Sequence, residues 1–459
     1  MAHRRRAKLL VGRVVVAGLL LGLLPPAARA GVGGGAAGGR IGPSLVSLSL
    51  DGREADGPSF TPAISGDGRY VAFASAGSTL VPGDTNGVED VFVYDRRSRG
   101  TERVSLSSAG EQGNGDSYGP AISADGRYVA FTSAASNLTP GDGNGELDVF
   151  VRDRVAHTTV LASVGPHGTP GDGPSGAPSI SGDGRLVAFE SDADNLVPND
   201  GNATGDVFVH DLGAGATRLV SVGGGGQPTE SPSFGPAISA DGSSVAFESF
   251  SSRLVPGDTN DALDVFVADL PTGHISRVSV ATDGTQGDER SYDPSISADG
   301  RMVAFASFAD NLVPGDGNGL LDVFVHRRDR QTTTRLSVGP GAVEGNGLSF
   351  APVVSADGAM VVFSSEASNL VPDDSNGLRD VFLASTATGA VTRLSQAARG
   401  PGAQGNGPSL GPVLDASGAM VAFASFATNL VPGDTNGQSD VFVAPSPAPK
   451  SAPGRARRR

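Results

Sequence analysis

The stretch NLVPGDTNGQSDVFV, residues 429–443, decides how this chain is read. Close copies of it recur throughout. Aligned on the first aspartate, they begin at Asp84, Asp142, Asp200, Asp258, Asp316, Asp374 and Asp434. The first six copies are 58 residues apart and the last step is 60. Each keeps Asp at its first place, Asn two residues later and Asp six residues later, with Val-Phe following. A fixed period of this size marks a repeat architecture, in which neighbouring units stack to bury a continuous core.

Every unit repeats one order of segments. In the second, residues 101–107 (TERVSLS) read as a strand, and the loop AGEQGNGDS follows. Residues 118–123 (YGPAIS) and 127–133 (RYVAFTS) read as strands joined by the tight turn Ala124-Asp125-Gly126, where glycine can supply a positive φ. The long loop 134–147 carries the first Asp and the Asn, and residues 148–153 (DVFVRD) are the last strand. No segment shows a helical amphipathic period.

Phenylalanine holds two fixed places. Phe73, Phe131, Phe189, Phe247, Phe305, Phe363 and Phe423 share one. Phe92, Phe150, Phe208, Phe266, Phe324, Phe382 and Phe442 share the other, so 14 of the 20 phenylalanines are accounted for. Two large rings per sheet, at constant positions, suit sheets stacked face to face with Val and Ala between them.

The ends of the repeat region match. Residues 44–50 (SLVSLSL) resemble only the TERVSLS strand, and residues 440–443 only the DVFV strand. Seven strands of each type result. The fold expected is all-β: a closed seven-bladed β-propeller with four-stranded antiparallel blades, spanning residues 44–445, its last blade completed by the N-terminal strand. An open solenoid would leave two unpaired sheet edges.

Residues 1–30 read as a secretory signal peptide: basic residues, an apolar run over 14–24, then Ala28-Arg29-Ala30 as a small-x-small cleavage site. Residues 31–43 read as a flexible Gly/Ala linker, and residues 446–459 as a disordered Pro/Ala-rich basic tail. The protein is therefore expected outside the cytoplasm, with no integral membrane span after cleavage. There is no Cys, which excludes disulfides and thiol chemistry. The formal charge is −15, yet eleven of the 34 basic residues lie in the two end segments, which hold no acid. The body is thus more acidic than the whole. It should repel nucleic acid and favour cations or a basic protein or peptide. A monomer is expected.

The runs ISADGRYVAF (122–131), ISGDGRLVAF (180–189) and ISADGRMVAF (296–305), with DVFVYD (90–95), resemble the WD-like repeat of TolB-type propellers. The resemblance covers the repeat region and implies the propeller fold. It departs from TolB in having seven units rather than six and no N-terminal α/β domain before the ring. It also implies periplasmic or secreted location.

The candidate site is the repeated Asp-x-Asn-x-x-x-Asp loop: Asp84, Asn86 and Asp90; Asp142, Asn144 and Asp148; Asp200, Asn202 and Asp206; Asp258, Asn260 and Asp264; Asp316, Asn318 and Asp322; Asp374, Asn376 and Asp380; Asp434, Asn436 and Asp440. Three hard oxygen donors within seven residues, often with a glycine between, resemble the second half of a calcium loop. The glycine is replaced by Ala203 and Asp261 in two copies. The competing reading is that Asp and Asn cap turns and hold loop amides. All seven loops are expected on one rim, beside the loops between blades.

Other signals are weaker. The segments 115–119 (GDSYG) and 407–411 (GPSLG) match a hydrolase nucleophile elbow, but lack its strand–turn–helix setting. No two histidines have metal-ligand spacing, and they are read as surface residues. Phe60, Tyr118, Phe234, Tyr292 and Phe350 share one place before the first strand and are read as packing beneath the loops between blades. The third unit diverges most, at Gly176 and over residues 200–203. The functional expectation is a non-catalytic binding or scaffold module with an acidic, calcium-accepting rim. The alternatives are a propeller enzyme of lyase or glycosidase type and a TolB-like envelope interaction module.

Overall fold

Short apolar runs separated by glycine-rich turns cannot bury themselves, and they fold here into seven four-stranded antiparallel sheets. The computed structural model describes residues 42–447, apart from Gly225 and residues 398–402. The signal peptide, nearly all of the linker and most of the tail lie outside the described residues. Blade 1 runs outward from its inner strand as Ser59–Ile64, Tyr70–Ser75, Asp90–Asp95 and Gly100–Arg103. Blades 2 to 6 repeat this order from inner strands Ser117–Ile122, Ser175–Ile180, Ser233–Ile238, Ser291–Ile296 and Ser349–Val354.

Blade 7 consists of Ser409–Leu414, Met420–Ser425 and Asp440–Pro445, with Ser44–Leu45 as its outer strand. Ser44 faces Val443 and Leu45 faces Phe442 in antiparallel register. The N-terminal strand thus completes the last blade. Blades 1 and 7 also meet at their inner edge, where the Ser59 amide donates to the Ser439 carbonyl at 2.7 Å. The same bond recurs between every neighbouring pair, for example from Ser291 to Leu263 at 2.7 Å.

The two phenylalanines of a blade face each other across its second and third strands. Phe305 and Phe324 are in register, with ring centroids 5.8 Å apart. They pack on Ala246, Val265 and Val267 of the preceding blade. Phe73 and Phe92 of blade 1 pack likewise on Ala422, Val441 and Val443 of blade 7. Each blade therefore offers a ring face to one neighbour and a Val/Ala face to the other, and the sevenfold stacking closes on itself.

Outer strands are shorter than the sequence suggests. The segment 101–107 is a ladder only as far as Arg103. Beyond it the Ser105 side chain turns to Asp90, and Leu106 bridges Gln112 instead of the sheet. Each inner strand carries a bulge at its third residue, held at positive φ from Thr61 at 46° to Gly119 at 58°.

Two histidines correct the surface reading. His210 and His326 occupy the same third-strand place in blades 3 and 5, and both are buried. Each ring Nδ1 lies 2.9 Å from a threonine hydroxyl, that of Thr217 or Thr333. Burial, and then the nearby Arg328, depresses the His326 pKa to about 4.

Two outcomes follow from this packing. Phe324→Ala should cost about 3–5 kcal/mol in urea unfolding, through lost burial and a cavity. His326 is protonated in the unfolded chain below its ordinary pKa but stays neutral in the fold down to about 4. The His326 contribution to stability should therefore fall as pH drops from about 6.5 toward 4, opposite in sign to that of carboxylates whose pKa burial raises. The unfolding midpoint of His326→Gln relative to wild type should therefore rise as pH drops through that window, measured for both proteins at each pH.

Candidate functional site

The loop between second and third strands carries each Asp-x-Asn-x-x-x-Asp motif, and the fold brings all three side chains of every copy together. Loop geometry begins with a left-handed residue after the Asn: Gly87 has φ 70° and Gly437 has φ 67°. Ala203 and Asp261 are forced into the same region at φ 55° and 52°, a conformation that costs an L-residue roughly 1–2 kcal/mol. The seven loops lie on the face that also carries the connections between blades. Asn86 Nδ2 donates to Asp90 Oδ2 at 2.8 Å and to the Gly113 carbonyl of the next connection at 3.1 Å. The Asn-to-Asp bond recurs in all seven copies.

The third-place aspartates Asp90, Asp148, Asp206, Asp264, Asp322, Asp380 and Asp440 are essentially inaccessible. Each accepts a hydroxyl bond from an outer-strand segment, such as Ser163 to Asp148 at 2.6 Å and Ser47 to Asp440 at 2.6 Å. The same serine accepts the next backbone amide, as Ser163 does from Val149 at 3.0 Å.

A residue outside the motif divides the loops into two kinds. The outer-strand partner of the second phenylalanine is Arg103, Arg277, Arg335 or Arg393 in blades 1, 4, 5 and 6. It is Leu161, Leu219 or Leu45 in blades 2, 3 and 7. Each arginine places Nη1 against both carboxylates of its loop. Arg103 is 3.0 Å from Asp84 and 3.0 Å from Asp90. Arg335 is 2.7 Å from Asp316 and 3.4 Å from Asp322. Arg277 and Arg393 bridge Asp258 with Asp264 and Asp374 with Asp380. In these four loops the counter-charge belongs to the protein.

The three leucine blades hold the same carboxylates with no such guanidinium. Burial, with repulsion from Asp148, raises the Asp142 pKa to about 6. Burial, then Asp206 and other acids, raises Asp200 to about 7. Burial, then Asp440 and Glu54, raises Asp434 to about 7. The Oδ1 atoms of Asp200 and Asp434 are buried and accept no hydrogen bond. The arginine is visible in the sequence, always nineteen residues after the first Asp of its loop. Its counterparts Leu161, Leu219 and Leu45 make the place look like one of packing, which masks the charge it carries in the other blades.

The other singled-out residues fall into place. Ser117 and Ser409, the centres of the elbow-like segments, are fully buried and paired with Ser133 and Ser425 at 2.8 and 2.9 Å. The aromatic place expected before the inner strand is in fact that strand's second residue, and it packs on neighbouring rings or cations: Phe60 against Phe426 at 6.2 Å, Arg379 over Phe350 at 4.3 Å. In blades 3 and 4 the second strand carries Glu190 and Glu248, which accept the bulge amides of Gly235 and Asp293 at 2.8 and 2.9 Å. The sequence reading passed over both.

The chain is similar in structure to an oligogalacturonate lyase in complex with manganese, at 12% identity, 89% of this chain, 97% of that one and TM-score 0.52. It is similar to the β-propeller domain of the Trilobed protease from Pyrococcus furiosus, at 10% identity, 84% and 95% coverage and TM-score 0.51. TolB from Acinetobacter baumannii matches at 14% identity and TM-score 0.40, over 75% of this chain, which spans 64% of TolB. No family model matches, and no curated protein is similar in sequence. In fold the chain is a seven-bladed β-propeller. At these identities the likeness is one of fold alone.

Removing a guanidinium tests the charge arrangement. Arg335→Leu copies the leucine blades and leaves Asp316 and Asp322 buried without their cation, at a cost of about 3–5 kcal/mol in chemical unfolding. Ala203→Gly relieves the left-handed alanine and should raise stability by about 1 kcal/mol, read in the same experiment.

Proposed function

We propose that this chain is an exported, non-catalytic propeller that binds or scaffolds a basic protein or peptide through its acidic rim. The observation that carries this reading is the set of exposed acids on the repeated loops and connections of one face, among them Asp116, Glu146, Asp172, Asp194, Asp288 and Asp310. The opposite face is built differently. Its acids Asp95, Asp153 and Asp211 are paired with Arg69, Arg127 and Arg185 at 2.6–2.7 Å, so these charges are compensated within the protein. A field of one sign over one face steers a cationic partner to that face, over a screening distance of about 8 Å at physiological salt.

The repeats also favour binding over chemistry. Seven near-equivalent loops present one motif many times, which suits a broad polar contact. Among the described residues no helix is long and apolar enough to cross a membrane.

An arginine-rich peptide titrated into the protein in EDTA, followed by fluorescence anisotropy, checks the reading. Binding should weaken several-fold between low and physiological salt. It should weaken again when Asp116, Asp172 and Asp288 become Asn, and stay unchanged on Asp329→Asn at the opposite face. Equal losses from both faces would refute the rim as the binding surface.

A further inference from the structure

We propose that blade 7 holds a calcium ion between Asp434 and Asp440, with Glu54 bordering it, at the place an arginine guanidinium fills in blades 1, 4, 5 and 6. The ion would clasp the two ends of the ring.

The repeat supplies its own comparison. In the arginine blades, Oδ1 of the first-place aspartate meets Nη1 at 2.7–3.1 Å. In blade 7 the outer-strand residue is Leu45, and Asp434 Oδ1 is buried with no hydrogen-bond partner among the described residues. Asp434 is only 7% exposed, so water at the surface does not satisfy it. An isolated buried carboxylate oxygen is costly unless a cation or donor meets it.

A carboxylate at the bridging place of the connection distinguishes blade 7 from the other leucine blades. The residue bridging across each connection is Gln112, Gln286, Glu344 or Gln404 in the arginine blades. From there Glu344 reaches Arg335 Nη1 at 3.0 Å, so this place borders the cation. In blades 2 and 3 it is Pro170 and Pro228. In blade 7 it is Glu54, whose carboxylate accepts the amides of Thr435 and Asn436 at 3.0 and 3.1 Å. Blade 7 thus keeps the bordering acid and lacks the guanidinium.

Among the described residues no three His, Cys, Asp or Glu side chains already converge on one metal position. Asp434 and Asp440, the pair that an arginine bridges in four other blades, would be the two direct protein ligands. Glu54, held in place by the Thr435 and Asn436 amides, would border the ion and bind it through water, and further waters would complete a shell of about six to eight oxygens. Hard oxygen ligands in a loop that tolerates irregular geometry suit calcium over magnesium. So few protein ligands place the affinity on the order of 10⁻⁴–10⁻³ M, the range of extracellular modules. Glu54 and Ser47 come from the N-terminal segment, and Asp434 and Asp440 from the last blade. Ion binding therefore strengthens the seam that closes the ring.

Full-length protein is melted in EDTA and then in rising calcium, with magnesium in parallel. The midpoint should rise with calcium specifically. At ten times the dissociation constant the unfolding equilibrium constant should fall about elevenfold. Amide exchange at residues 441–443 should slow. Leu45→Arg supplies a guanidinium, so it should raise the midpoint in EDTA and abolish the calcium response. Asp434→Asn should abolish the response too, and Asp316→Asn in blade 5 should leave it intact. The proposal is overturned by a wild-type protein without a calcium-specific rise. It is equally overturned if the rise survives in whichever of Leu45→Arg and Asp434→Asn folds, or disappears in Asp316→Asn. Peptide binding to the rim is measured in EDTA, so the two readings fail separately.

Discussion

Each blade depends on one buried carboxylate, the aspartate that opens its third strand. A charge in that position is tolerable only if its oxygens are fully engaged. A serine from the outer-strand segment and an asparagine from the loop engage them, as Ser163 and Asn144 do for Asp148. The asparagine also donates to the connection leading to the next blade, here to Gly171 at 3.0 Å. One ionised group thus ties strand, loop, outer strand and neighbouring blade. In blade 7 the serine is Ser47, from the other end of the chain. The interaction that holds a blade together is there the interaction that closes the ring.

A second cyclic element acts on the opposite face. The turns between first and second strands are joined head to tail by backbone bonds, from Gly66 to Ala124, Ala124 to Gly182 and Gly182 to Ala240. The series continues through Asp241, Ala298 and Ala356, and returns from Ala416 to Gly66 at 3.2 Å. The backbone is therefore pinned at both faces in nearly the same way in every blade. Differences between blades arise from single side chains on a common frame. Arginine or leucine decides whether a carboxylate pair has an internal cation. Glutamine, glutamate or proline decides what borders it.

Much of the fold was legible in the residues. The DVFV strand, the two phenylalanine places and the matching ends gave blade number, strand order and closure. Two features escaped. Strand ends were drawn too long at 101–107, because alternating residues continue past Arg103 while the chain leaves the sheet to serve Asp90. His210 and His326 were read as surface residues, although each sits at the end of a DVFV run, where the ladder buries it beside a threonine.

The sequence alone determined the period, the seven units and the partner strand of the last blade. These follow from local patterns that repeat, and burying them leaves a single consistent stacking. It also placed every Asp and Asn of the rim. Only the tertiary structure decided which of those carboxylates share a guanidinium and which stand without one. That depends on what faces them across strands. Glu54 reaches the loop of Asp434 from 381 residues before its hydrogen-bonding partner Thr435. Its counterparts Gln112 and Gln286 make the same contact within a few tens of residues, whereas that of Glu54 exists only once the ring has closed.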